Sequence, residues 1–192
     1  MTIVNCESCG GTLDVEYILA KNDQNKINLK NGMRMMVPLK NPENFVSLGE
    51  GNTPLIRFTR VEKQLNLDRV FGKLEFMNPT GSFKDRGTFM MISMVLESNI
   101  DSLVEDSSGN AGASLSAYCA KTGLKAHIFA PESAPVSKLG QIKTYGAKVH
   151  LIKGSRDQVT SEAKRFYQEN NFIYASHVLS PYYVEGTKTF AY

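Results

Sequence analysis

Two short stretches carry residue types that could do chemistry. The first is "NPTGSFKDRG", Asn78 to Gly87, where Lys84 stands between an aromatic residue and an aspartate just after a Pro-Thr-Gly-Ser turn. The second is "SSGNAG", Ser107 to Gly112. If a helix begins at each, Lys84 falls in a first turn, where the helix dipole is positive. Ser82 and Asp85 suit that position, but a cation there costs a few tenths to about 1 kcal/mol. A solvated surface lysine tolerates such a cost. The same field, with Arg86 two residues on, lowers the pKa of an amine and makes it a nucleophile able to form a Schiff base with an aldehyde. In the second stretch Gly109 permits a tight turn. The backbone N–H groups of Ser107, Ser108, Asn110 and Ala111 would then face an anion such as a carboxylate or phosphate. The Asn110 amide could also bond a phenolic oxygen. An ordinary cap and loop uses the same residue types, so neither stretch decides the matter alone.

The elements that must position these residues alternate. "VFGKLEF" (70–76) reads as a strand, "FKDRGTFMMISMVLESN" (83–99) as a helix, "SLVEDSS" (102–108) as a strand and "NAGASLSAYCAKTG" (110–123) as a helix stopped by Gly123. Strands follow at 125–131, 148–154 and 172–177, helices at 134–146 and 156–171, and "EGTKTFAY" (185–192) opens one more helix. Such alternation implies an α/β domain with a parallel sheet flanked by helices and right-handed crossovers. Ligands in such folds bind beyond the carboxyl ends of strands. Both chemical stretches follow strands, so both should face one sheet edge. Residues 1–20 hold a Cys pair and then "TLDVEYIL", which alternates like a short strand. Residues 21–69 read as a connector and leading segment, polar at first and not core, with a Met cluster (Met33, Met35, Met36) expected to pack against the part of the fold missing from this chain.

Composition excludes several classes. Of the 192 residues, 42% are hydrophobic and 21% charged, with a net charge of +3 and both signs interspersed. That balance gives no reason to expect nucleic acid or a membrane surface as partner. No stretch approaches the roughly 18 apolar residues of a spanning helix. The first residues lack a secretory signal pattern, so the chain reads as cytoplasmic. Three cysteines, Cys6, Cys9 and Cys119, do not make a disulfide framework.

Taken together, "SLGEGNTPL" (47–55), "NPTGSFKDRG" (78–87), "SSGNAGASLSAYCAKTGL" (107–124), "PVSKLGQIKTYGAKV" (135–149) and "EGTKTFAY" (185–192) resemble threonine synthase, a fold-type-II pyridoxal-phosphate enzyme family. The resemblance runs over nearly the whole chain in the family's order. It implies the N-terminal, smaller domain of the tryptophan synthase β-like fold at 70–192. Lys84 would be the Schiff-base lysine and proton shuttle, and Asn110 the partner of the cofactor's 3-hydroxyl. Phe83 would pack near the cofactor ring, while Asp85 and Arg86 hold the lysine's helix. Ser107, Ser108, Gly109 and Ala111 would form the substrate-carboxylate loop. The implied activity is a carbon–oxygen lyase converting O-phosphohomoserine to threonine and phosphate, in a dimer or other homo-oligomer that could cover an exposed apolar face.

Two departures from the family bear on this. The family continues beyond Tyr192 with the Gly-rich loop for the cofactor phosphate, so the chain reads as an N-terminal portion expected to bind cofactor weakly and to be inactive by itself. In "SHVLSPYYVEG" the family's phosphate-binding Asn and Arg are replaced, with His177, Ser180 and Tyr183 at the corresponding positions. Tyr183 cannot supply a guanidinium's bidentate grip. Lys188 remains a possible anion contact, or a helix-surface lysine. A relative acting on O-phosphoserine or serine, such as cysteate synthase or a dehydratase, fits as well, as does a non-catalytic binding module. Cys6 and Cys9 have the spacing of one zinc-ribbon knuckle, but tetrahedral zinc needs four ligands. The pair reads as a vestige of a ribbon-like segment, or as half of a site shared between two chains.

Overall fold

The computed structural model describes residues 6, 8–17, 26–28 and 34–191. Two short strands come first, β1 (Lys26–Asn28) and β2 (Arg34–Met36), paired antiparallel. A second antiparallel ribbon joins β3 (Leu55–Arg57) to β4 (Phe71–Lys73) across α1 (Thr59–Leu65). Then follow α2 (Lys84–Val95), β5 (Ser102–Glu105), α3 (Asn110–Thr122), β6 (Lys125–Pro131), α4 (Val136–Thr144) and β7 (Lys148–Ile152). The chain continues with α5 (Arg156–Asn170), β8 (Ile173–Tyr174) and α6 (Pro181–Thr187). The main sheet is parallel and four-stranded, in the order β7-β6-β5-β8.

Alternating side chains feed two cores. Leu103 and Ile128 point to the side of α2 and α3, while Val104 and Phe129 point to Val159 and Ala163 of α5. Every residue of β5 is buried, as a strand covered on both faces requires. Helix α5 opens with a capping box in which Ser155 and Gln158 bond reciprocally.

Several expectations need correction. The strand expected at 70–76 ends at Lys73 and pairs with β3 in the ribbon, not with the parallel sheet; a 3₁₀ turn, Glu75–Met77, follows it. The segment read as a connector outside the core supplies Met35, Val37, Leu39 and Val46 to the main hydrophobic cluster. Its polar neighbours masked that alternation. Met35 is therefore packed within this chain, and Met33 lies outside the described residues. The alternation in "TLDVEYIL" gives only an isolated bridge at Thr12 through residue 17, and residues 18–19 lie outside the described residues. The last helix begins at Pro181, not at Glu185, because proline suits a first helical position.

Helices α2 and α6 cross at two glycines. A Cβ on Gly186 would lie 2.2 Å from the Arg86 carbonyl oxygen, and one on Gly87 would enter the Tyr183 ring at 2.4 Å. The glycines of "KDRG" and "VEG" thus let α6 lie directly on the helix that carries Lys84. On the other side of the molecule, His127 and His150 stack under Phe129, Phe166 and Phe172, with His127 Nδ1 and His150 Nε2 3.1 Å apart. Burial first, then Lys148, pushes the His127 pKa down; burial, His127 and Lys148 do the same for His150. A depressed folded pKa means that stability is intact above the unfolded value, about 6.5, and is lost as pH falls through the folded values. Urea melts should therefore show stability falling from pH 8 to pH 5, with a shallower fall in His127→Gln and His150→Gln.

Candidate active site

The turn before α2 is built to hold its first residue. Ser82 Oγ accepts the Lys84 N–H at 3.3 Å. Asp85, fully buried, accepts from the Thr80 N–H at 2.7 Å, the Thr80 hydroxyl at 2.6 Å and the Ser114 hydroxyl at 2.6 Å. Ser114 lies one turn into α3, so Asp85 ties the start of α2 to the start of α3. Gln141 of α4 donates to the Thr80 carbonyl at 3.0 Å. The two stretches singled out in the sequence are thereby brought side by side.

Lys84 is half-buried, with its Nζ 4.6 Å from the centre of the Phe83 ring and 5.8 Å from that of Tyr183. Burial lowers its pKa, and the Glu105 carboxylate pulls the other way. The direction agrees with a nucleophilic amine, but the cause differs from the one expected. Arg86 points inward and is neutralised by Glu75 through two contacts, Nε to Oε2 at 2.7 Å and Nη2 to Oε1 at 2.8 Å. The guanidinium also donates to Thr53 Oγ1 at 3.2 Å and, from Nη1, to the Thr189 carbonyl at 3.1 Å and hydroxyl at 3.0 Å. Burial alone would raise the Glu75 pKa, yet hydrogen bonds from Arg86, Thr53 and Asn78 take it down to about 2. Arg86 is a tie between four segments rather than a charge acting on Lys84.

The "SSGNAG" loop leaves β5 and enters α3 at Asn110, with Gly109 as the N-cap and no side chain capping the helix. Ser107, Ser108 and Gly109 are half-buried, Asn110 is exposed and Ala111 is buried. A Cβ on Gly112 would lie 2.0 Å from the Ser107 carbonyl, so that glycine lets the loop fold onto its own helix. Asn110 Oδ1 accepts from Lys138 Nζ of α4 at 2.8 Å. With its carbonyl so engaged, the amide leaves its NH₂ as a donor. Lys138 was not singled out from sequence.

The stretch 177–188 lands against this region, with most of its polar groups already paired. Tyr183 donates its hydroxyl to the Lys84 carbonyl at 3.3 Å, and its ring packs edge-on against His177, centres 5.8 Å apart. His177 Nδ1 lies 3.1 Å from Oε1 of the buried Glu105. Ser180 is buried at the start of α6. Lys188 pairs with Glu185 and, at 3.1 Å, with the Tyr17 hydroxyl, and Tyr17 in turn donates to Glu185. Glu105 is the functional candidate that sequence reading missed. Its signal was a carboxylate as the last residue of a strand buried on both faces.

Cys6 and Cys9 sit in a tight turn closed by Cys6 N–H to Gly11 O at 2.8 Å and Gly10 N–H to Cys6 O at 2.8 Å. A hydrogen bond with Ser8 leads the lowering of the Cys6 pKa to about 7. Cys119 is buried in α3. Among the described residues no group of three or more His, Cys, Asp or Glu side chains is placed to hold a metal ion, and no helix is long and apolar enough to cross a membrane.

A family profile described as "Pyridoxal-phosphate dependent enzyme" matches residues 46–192. The chain belongs to that family. Threonine synthase of Methanocaldococcus jannaschii is 36% identical over 199 residues, 99% of this chain and 49% of the relative. Threonine synthase of Bacillus sp. (strain ULM1) is 40% identical over 148 residues, 77% of this chain and 42% of the relative. The chain thus spans about half the length of the relatives it matches. Among solved structures, a pyridoxal 5'-phosphate-dependent aspartate racemase superposes with TM-score 0.69 at 25% identity, covering 72% of this chain and 44% of that one. Diaminopropionate ammonia lyase of Escherichia coli gives 0.68 at 15% identity, covering 77% and 48%, a likeness of fold. The α/β fold and the family expected from sequence are therefore shown, and the family's cofactor is pyridoxal phosphate.

Proposed function

We propose that this chain is the lysine-bearing part of a threonine-synthase-like lyase that converts O-phosphohomoserine to threonine and phosphate. The observation that carries the reading is Lys84, an amine whose pKa is lowered by burial, on a helix pinned through Asp85 to the uncapped start of α3. The residues present fit pyridoxal phosphate: an amine to hold its aldehyde, the Phe83 ring beside that amine, and the Asn110 NH₂ as donor to its 3-hydroxyl. When bound, the cofactor supplies an electron sink for the substrate's carbons. The Lys84 amine would take protons from those carbons and return them. Ser107, Ser108, Gly109 and Ala111 bind the substrate carboxylate with backbone N–H groups. Phe83 and Tyr183 shield the amine from water.

A second reading, an enzyme of the same class acting on O-phosphoserine or serine, draws support from the paired state of 177–188. His177 is engaged by Glu105, and Lys188 by Glu185 and Tyr17. The two phosphorylated substrates differ by one methylene, worth roughly 10–200-fold in kcat/KM. Phosphate release and amino-acid product should be followed with each, using a version of the protein extended to its relatives' length and supplied with pyridoxal phosphate. The first reading expects threonine from O-phosphohomoserine at the higher kcat/KM. Release from O-phosphoserine alone would replace it with the second.

A further inference from the structure

At the carboxyl end of the parallel sheet, two adjacent strands place a carboxylate and an imidazole together. Glu105 ends β5, and His177 follows β8, which pairs with β5 through Val104 and Tyr174. The Ala175 N–H donates to the Val104 carbonyl at 2.7 Å, which carries the pairing on toward His177. Glu105 is 1% exposed, and its carboxylate meets His177 Nδ1 at 3.1 Å. Tyr183 joins this pair to the reactive end of α2: its ring lies against His177 and near the Lys84 Nζ, and its hydroxyl bonds the Lys84 carbonyl.

A carboxylate with so little exposure on a β-strand needs a reason, because burial without a partner is expensive. Packing does not supply one, since an apolar residue would continue the buried strand. His177 meets the carboxylate with its ring and with its backbone N–H. The carboxylate also acts across space on the Lys84 amine, favouring its charged form. We propose that Glu105 and His177 are positioning residues that share one proton and together set the basicity of the Lys84 amine. The inference rests on the reading of Lys84 as the reactive amine.

The surroundings allow this role. Asp106, the neighbouring carboxylate, is drawn away by Arg156 at 3.1 Å and the Thr160 hydroxyl at 2.5 Å from α5. Tyr174 on β8 and Tyr183 on α6 both feel Glu105, and burial raises the pKa of each, so both stay neutral where a lysine titrates. Asp85, which also acts on Tyr183, is held by Thr80 and Ser114. Burial raises the Glu105 pKa, and the His177 hydrogen bond opposes that rise. The carboxylate favours the charged form of the Lys84 amine, which is thereby held more basic than burial alone would leave it. Removing the carboxylate lowers the Lys84 midpoint. Removing His177 leaves Glu105 easier to protonate and lowers it in the same direction by less.

The test is a titration of Lys84 in this chain without cofactor. Reductive methylation with ¹³C-formaldehyde labels the lysines, and Lys84→Arg identifies the Lys84 resonance. Glu105→Gln should move its midpoint down by roughly one unit, His177→Gln by a fraction of that, and Glu105→Asp should restore part of the shift. The Lys125 resonance should not move. Identical Lys84 midpoints in the parent, Glu105→Gln and His177→Gln chains would overturn the proposal. If Glu105→Gln does not fold, His177→Gln decides alone, because it leaves the carboxylate in place. The measurement needs no pyridoxal phosphate. A chain that fails to attach the cofactor can still show the coupling, and an unmoved midpoint leaves the attachment untouched.

Discussion

In a version of the protein extended to its relatives' length, Lys84→Ala is expected to lower turnover of the proposed substrate by about 10²–10⁴-fold or more while leaving the folded state as stable as before. The two halves of that result come from different physics. The amine is the only group in the described site proposed to move protons, so its loss removes the chemistry. Structurally the lysine is ill placed, because a cation in a first helical turn opposes the dipole. Alanine there should be neutral or stabilising by a few tenths of a kcal/mol. Activity assays paired with urea melts check both. A large loss of stability in Lys84→Ala would mean that the side chain is held for packing, and would count against the functional reading.

Arg86→Ala is expected to do the reverse, with a loss of about 3–5 kcal/mol of stability. Arg86 is 2% exposed and bridges Glu75, Thr53 and Thr189. Cutting it to alanine strands the Glu75 carboxylate, which relies on that guanidinium to offset burial. It also empties the contact with the Phe190 ring, 4.6 Å from the guanidinium carbon. The diagnostic variant is the double change Arg86→Met with Glu75→Leu. An apolar pair of similar volume should recover most of the loss, because the cost lies in the unpaired charge. Denaturant midpoints that stay low in the double variant would place the cost in geometry instead.

The helix starts at Lys84 and Asn110 were legible for a physical reason. Each is written in local sequence as turn residues followed by helix formers; Asn110 comes soon after β5, whereas a 3₁₀ turn separates β4 from Lys84. Alternation likewise marked the four parallel strands. What escaped was long-range. Nothing local to "VFGKLEF" says that it pairs backward with Leu55–Arg57 instead of joining the parallel sheet. Nothing near Met35, Val37 and Leu39 says that α2 and α3 complete their core. Arg86 looked like a charge beside Lys84 because the two are close in sequence, but helical geometry turns it toward Glu75. Glu105 and His177 lie far apart along the chain, and only the pairing of β5 with β8 brings them together.

The most direct test of the central claim is to find where pyridoxal phosphate attaches. The protein is incubated with the cofactor, reduced with cyanoborohydride so that even a weak attachment becomes permanent, and digested for peptide mass mapping. The account predicts a pyridoxyl group on Lys84 at low cofactor concentration, with the other lysines modified only as the concentration rises. Label spread over exposed lysines such as Lys63, Lys121 and Lys164, with Lys84 unmodified, would contradict it.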